Sequence, residues 1–555
     1  MPPLNWTADT DLTSTGDEPA IPADTAVLTP QQAPVWARLV MPSIGDLIFL
    51  LTFWFLTFGS WGARLLSDAD TGWHIRNGEQ ILGRHAVPYT DSFSYTMHGS
   101  PWYAWEWLYD VVLAIAHKFG GLNGVVVLSA LLIALTFTTL FRMASRLCGN
   151  VVIAAALTLV AIGASSIHFL ARPHLVTWLF VLVWLAALDK FRRDGNWKRL
   201  ALLPVLMLIW VNLHGGFLLG LVLPVIYATA NVWTAVTSSD VQTRRQNWAM
   251  ARRIGIATLL TSAATLANPY GYKLYVHLSE YLGSSFLMNN ISEFLSPDFH
   301  FVQVKLFLLL LVVALLAFAL TKTSVLDILL VAFSTYAGLY AARNIPISAM
   351  LLTLVSAPML ARALDDIRLS DDLSSAIRRV ARSTDNFSRR MMALERQLTW
   401  QVLPVALVAL TLVVCANGGM IGSKQLLDLK FESKRLPVQA AEFLASNKIE
   451  AQVFAEDGWG GYLIYRLHPE GFSVFVDDRH DFYGEAFLKD YLKLTKLRRG
   501  WSDVLDRHWV NYVLIEPDAA LANALRASAD WNLMHQDGTA VVFARKVPIA
   551  PAMVK

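Results

Sequence analysis

The stretch GSPWYAWEWLYDVVLAIAHKFGGLNGVVVLSALLIALTFTTLFRMASRLCG, Gly99 to Gly149, decides the architecture of this chain. Its second part, about 124–147, is an apolar run with Arg142 and Arg146 at its far end, and it is long enough to cross a bilayer as a helix. The first part, Trp105 to Phe119, is amphipathic, too short to span comfortably, and stopped by Gly120-Gly121. It reads as a helix lying along the membrane surface that turns into a membrane span.

Working outward, comparable apolar runs recur near 46–66, 151–170, 174–191, 199–213, 215–236, 253–268, 302–321, 324–342, 345–361 and 399–417, eleven with the first. The short run at 199–213 counts as a span through its pairing with the next one across Leu213-His214-Gly215-Gly216. Composition agrees: 55% of the residues are hydrophobic and only 16% charged, too apolar for a soluble domain of this length. The expected fold is mainly α, a polytopic bundle of about eleven transmembrane helices followed by a C-terminal extracytoplasmic α/β domain. A net charge of +3 gives no support for a nucleic-acid partner. Cys148 and Cys415 have no metal or redox spacing and read as small core residues.

Charge orients the bundle. If the first run leaves the cytoplasm, Arg142 and Arg146, Lys190 to Arg199, Arg244 to Arg253, Lys322 and the basic stretch Arg362 to Arg396 all fall inside. An odd number of spans then puts the tail outside, periplasmic if the membrane is a bacterial inner membrane. Residues 1–44 read as a disordered cytoplasmic tail without the features of a signal peptide, 45–418 as the transmembrane domain with a first outer loop at 67–123, 419–436 as a linker, and 437–555 as the soluble domain. In that domain helices are expected at Ala440–Ser446, Gly460–Leu467 and Glu485–Leu494, and strands at Val453–Phe454, Val474–Val476, Tyr512–Ile515 and Val541–Ala544. Asp477-Asp478-Arg479 follows one of these strands; a turn with a surface ion pair is the plainer reading, a ligand site the alternative.

The first outer loop begins SDADTGWHIRNGEQIL, Ser67 to Leu82, with a helix expected from Asp70-Thr71 to about Arg84. Asp68 and Asp70 are two residues apart, so both carboxylates can turn toward one point. They can hold a divalent cation such as Mg²⁺ or Mn²⁺, or one can act as general base; alternatively Asp70 or Thr71 simply caps the helix. At the outer ends of later spans lie Arg172 and His174, His214, and Arg343, candidates for contacting an anionic substrate or a lipid headgroup. The outer segment 268–301 is long for a connector and contributes Tyr270, Lys273 and Glu293 as substrate-binding candidates, or serves as an interfacial helix. Glu106, between two tryptophans, is a further carboxylate able to bond sugar hydroxyls or to sit solvated in an aromatic belt.

The order of inner tail, first span, acidic outer helix, Pro-Trp turn, surface helix, GGLN and second span resembles the GT-C superfamily of integral-membrane glycosyltransferases, among them the protein O-mannosyltransferases and the aminoarabinose transferase of lipid A. The resemblance covers about 60–150 most specifically. It implies an extracytoplasmic transferase moving a sugar from a polyprenyl-phosphate donor to a lipid, glycan or protein hydroxyl, with membrane lipids as neighbours and Asp68 and Asp70 at the catalytic centre. The chain departs from the family where Asp70-Thr71 replaces Asp-Glu and where Pro101-Trp102 and Trp105-Glu106-Trp107 replace the Lys/Pro-Pro element, and it lacks the Trp-Trp-Asp-Tyr motif of oligosaccharyltransferases. Two other functions fit such a chain: a transporter or flippase of a lipid-linked substrate, and a non-catalytic assembly protein on the same scaffold.

Overall fold

A computed structural model describes residues 34–369, 374–398, 401–450 and 452–549. Most of the expected N-terminal tail therefore lies outside the described residues. The helices that organise the chain are α1 (Ile44–Thr57), α2 (Asp70–Arg84), α3 (Trp107–Cys148), α4 (Val151–Ser165), α5 (His174–Asp194), α6 (Lys198–Trp210), α7 (Leu219–Thr237), α8 (Val241–Ala264), α9 (Val302–Leu320), α10 (Val325–Tyr340), α11 (Ile345–Leu369), α12 (Val402–Ala416), α13 (Val438–Ser446), α14 (Asp457–Leu467) and α15 (His480–Thr495). Among the described residues, six helical stretches are long and apolar enough to cross a membrane: Trp107–Cys148, Val151–His168, His174–Asp194, Gly215–Thr237, Val302–Leu320 and Ala342–Leu369. A bent pair, Ser375–Gln397 with α12, makes a seventh if it counts as one span. Helices α1 and α10 are apolar but shorter.

Local chemistry sets several of these boundaries. Ser43 and Asp46 form a reciprocal capping box at α1, and Asp46 also pairs with Arg142 near the end of α3 at 3.0 Å, joining these ends of the two helices. Asn150 accepts from the amides of Val152 and Ile153 and starts α4. Helix α3 breaks at the expected place: Gly120 leaves helical geometry and Gly121 has φ 60° and ψ −148°, a backbone state open to glycine, so the surface segment and the span meet at an angle.

The soluble domain is built on four strands, β1 (Val453–Ala455), β2 (Tyr512–Ile515), β3 (Trp531–Gln536) and β4 (Val541–Arg545), in the order β1-β2-β4-β3, with β1 and β2 parallel and the other pairs antiparallel. One expectation is corrected here, and one strand is added. Val474–Val476 is not a strand of this sheet; Val474 makes an isolated bridge to Ser94, its amide bonds to the Phe93 carbonyl at 2.9 Å, and Thr96 donates to the Phe475 carbonyl at 2.6 Å. The segment spends its backbone hydrogen bonds on the first outer loop. The strand β3 escaped the sequence reading because its middle residues are exposed and mixed in polarity, WNLMHQ, without clean alternation.

The first loop and the soluble domain are thus one packed unit. Helix α14 lies against α2 so closely that a Cβ on Gly72 would meet the Gly461 carbonyl, and one on Gly461 would meet the Ala69 carbonyl. Gly461→Val is expected to separate the two helices, with a loss of about 1–3 kcal/mol. A lower midpoint in a thermal unfolding series, together with faster protease cleavage between the soluble domain and the bundle, would register it; wild-type behaviour would show that the contact yields without cost.

Candidate functional site

The span ends near residues 166–178, 214–219 and 340–347, the first loop, the 285–294 segment and the C-terminal domain enclose a cavity of about 1080 Å³. Its floor carries an acidic cluster centred on one guanidinium. Arg172, in the turn between α4 and α5, reaches Asp68 at 2.5 Å, Asp70 at 2.5 Å and Glu293 at 2.8 Å, with Asp478 at 3.8 Å. The turn is tied to the first loop by backbone contacts: the Ala171 amide donates to the Leu65 carbonyl at 2.9 Å, and Thr71 Oγ1 donates to the Ala171 carbonyl at 3.2 Å. Residues a hundred positions apart are therefore held in register without any help from the charges.

Asp70 opens α2, but it is not the cap. Ala69 occupies that position with no side-chain cap, while Asp68 Oδ1 accepts from the Asp70 amide at 3.0 Å. Both aspartates therefore aim at Arg172, and Asp70 Oδ1 is buried without a hydrogen-bond partner. Burial pushes the Asp70 carboxyl up, only partly offset by Arg172. Burial likewise raises Asp478, and the charges of Asp70 and Asp457 raise it further. Glu293 goes the other way: burial alone would raise it, yet Arg172 and Arg343 together hold it down at about 2. Asp457 is kept low by a hydrogen bond from His480 at 2.9 Å despite its burial, and Tyr491 donates to its other oxygen at 2.8 Å.

The triplet Asp477-Asp478-Arg479 is not a surface turn. Asp477 and Arg479 are buried, and Arg479 holds Asp477 through two bonds of 2.7 Å and reaches Asp91 of the first loop at 2.8 Å, with its guanidinium over the Trp102 ring at 4.5 Å. Between them Asp478 is turned into the cavity. Oxygens of Asp68, Asp70 and Asp478 lie within 4.8 Å of one another, and so do ligand atoms of Asp457, Asp478 and His480.

No protein-family model matches the chain, and no curated protein matches it. Among solved structures, the crystal structure of the oligosaccharyltransferase of Archaeoglobus fulgidus in the apo form aligns with a TM-score of 0.48 at 12% identity, over 86% of this chain and 69% of that one.

The remaining candidates fall in two groups. His174, His214, Arg343 and Glu106 line the cavity with Arg172 and Glu293. His174 Nε2 donates to the His168 carbonyl, 2.8 Å away, and the Arg343 guanidinium lies over the Phe294 ring at 4.6 Å. Tyr270 and Lys273 are elsewhere. The Tyr270 hydroxyl accepts from the Ala104 amide at 2.7 Å and donates to the Pro88 carbonyl at 3.2 Å, bracing the loop behind the cavity wall, and Lys273 is exposed at the start of a surface helix. Sequence reasoning raised Asp478 only within the alternative of a ligand site at 477–479, and named none of Asp457, His480, His74 and Asp110 as a site residue. A carboxylate directly after an apolar strand-like run was the available signal for Asp478; nothing local marked the others.

Proposed function

We propose that this protein is an extracytoplasmic membrane glycosyltransferase that moves a sugar from a polyprenyl-phosphate donor to a hydroxyl of a lipid, glycan or protein. The observation that carries the reading is the cluster of Asp68, Asp70 and Asp478 around Arg172, set where span ends and soluble domain meet over one large cavity. A donor with a long apolar chain and a polar head needs such a boundary position, and the resemblance of the first loop to GT-C enzymes points the same way. In this reading the chain crosses a bacterial inner membrane eleven times, with its N-terminus in the cytoplasm and its soluble domain in the periplasm.

Asp70 is the proton acceptor for the incoming hydroxyl. Its raised carboxyl and free Oδ1 suit that task better than Asp68, which spends one oxygen on the Asp70 amide as well as on Arg172. Arg172 is engaged by carboxylates and positions them, so Arg343, lying over an aromatic ring at the cavity wall, is the cation that meets the donor phosphate. Asp68, Asp70 and Asp478 also fit a hard divalent ion, Mg²⁺ or Mn²⁺, by their oxygen chemistry and the orphaned Asp70 Oδ1. When bound, such an ion would supply charge stabilisation to the departing phosphate.

The test is transfer from a panel of radiolabelled decaprenyl-phosphate sugars by the purified protein in membrane lipid, with a crude envelope extract as acceptor. Release of decaprenyl phosphate with a labelled product is expected. Chelation that abolishes transfer, with recovery on adding Mn²⁺, would assign the cation; unchanged transfer would leave Asp70 acting alone. Movement of the intact donor across the membrane with no product would instead make the protein a flippase.

A further inference from the structure

A second group of side chains faces the same cavity one helical turn from Asp70. His74 shares the cavity face of α2 with Asp70, about 5–6 Å away for residues at this spacing. Its Nδ1 lies 2.6 Å from Asp110 Oδ1, and Asp110 Oδ2 accepts from Asn77 Nδ2 at 2.6 Å. That pairing assigns the ring proton to Nδ1 and leaves the Nε2 lone pair toward Glu106. His214 is assigned the opposite way. Its Nδ1 accepts from the Gly216 amide at 2.9 Å and lies 2.8 Å from Thr177 Oγ1, which itself accepts from Trp210 Nε1 at 3.0 Å, so the His214 proton sits on Nε2.

Glu106 stands between the two rings. Its Oε1 is 3.6 Å from His214 Nε2 and its Oε2 is 4.0 Å from His74 Nε2, both too long for direct hydrogen bonds. The three groups therefore present a donor, an acceptor and a carboxyl that do not satisfy one another, with the two rings held in place from behind. No side-chain cap ties Glu106 to the helix it precedes. Trp102 and Trp105 line the same part of the cavity and offer flat ring surfaces.

We propose that Glu106, His74 and His214 form a hydroxyl-reading subsite for the ring of the donor sugar, and that it accepts neutral sugars in preference to amino sugars or uronic acids. This deepens the glycosyltransferase reading and rests on it. His74 stands one helical turn from Asp70 on a helix that lines the cavity, so a sugar whose anomeric carbon lies near Asp70 turns its remote hydroxyls toward these three groups. Burial drives His74 down to about 3 and His214 well below its usual range, so both rings are uncharged at neutral pH, and burial raises Glu106. Neutral rings in a buried pocket bond hydroxyls, whereas a charged amine or carboxylate set against them gives up its water without an ion pair from the rings. Asp110 is a positioning residue that fixes the His74 tautomer.

The experiment is a thermal-shift titration of the full-length protein in lipid nanodiscs with decaprenyl phosphate alone, with its glucosyl, mannosyl and galactosyl derivatives, and with the aminoarabinosyl derivative. At least one neutral glycosyl lipid is expected to bind about tenfold more tightly than decaprenyl phosphate and than the aminoarabinosyl lipid. Glu106→Gln, a neutral isostere, is expected to keep that increment, and Glu106→Leu to lose it while still binding decaprenyl phosphate. The subsite is overturned if no sugar adds affinity to the phosphate, if the amino sugar binds best, or if Glu106→Leu retains the full increment. Failure of the wild type to bind even decaprenyl phosphate would overturn the glycosyltransferase reading itself, a result distinguishable from the others.

Discussion

Asp70→Asn is expected to lower sugar transfer by about 100- to 10,000-fold, the usual worth of a positioned acid or base, with little change in donor affinity. Asparagine keeps the size of the side chain and its position at the head of α2, and it removes the proton-accepting charge from a group whose Oδ1 has no other partner. Asp68→Asn is expected to act differently. Asp68 receives the Asp70 amide and two guanidinium contacts, so its loss should slacken the cluster and depress both kcat and donor affinity by a smaller factor. Single-turnover kinetics on both variants separates the two effects. Equal rates in wild type and Asp70→Asn would remove Asp70 from the chemistry.

Arg479→Met should have the largest structural effect. Arg479 is 3% exposed and joins Asp477 of the soluble domain to Asp91 of the first loop, with Trp102 against its face. Removing the cation leaves two buried carboxylates without compensation, and breaking a buried pair of this kind costs about 3–5 kcal/mol. The Asp91 carboxylate also receives the Ser94 amide and hydroxyl at 2.9 and 2.7 Å, so the loop around it is expected to loosen too. The variant should unfold at a markedly lower temperature, and protease should cut between the soluble domain and the bundle. Normal stability would mean that packing around Trp102 and the shared backbone bonds suffice to hold the domain.

Part of this was legible in the residues. The apolar runs, the glycine stop at 120–121, the helix from Asp70 to Arg84 and the change to an α/β tail are all local patterns, set by periodicity and by glycine chemistry. Asp68, Asp70, Arg172 and Glu293 drew attention because charges beside membrane spans are costly and so carry a reason. That these four meet was not readable, since their pairing depends on how the Ala171 turn docks on Leu65. The triplet at 477–479 misled for a related cause. Acidic and basic neighbours in a short stretch normally describe a solvated turn, and burial by a loop nearly four hundred residues upstream leaves no trace in local composition. His74 and Asp110 were hidden likewise, being ordinary members of amphipathic helices until folding brings them face to face.

The docking of α14 on α2 through Gly72 and Gly461 bears on biosynthesis. Asp68 and Asp70 of the acid cluster are made early, Glu293 midway, and Asp478 with its neighbours Asp457 and His480 only near the end of translation. The cavity is therefore incomplete in the nascent chain until the last fifth of the polypeptide has folded back onto the first loop.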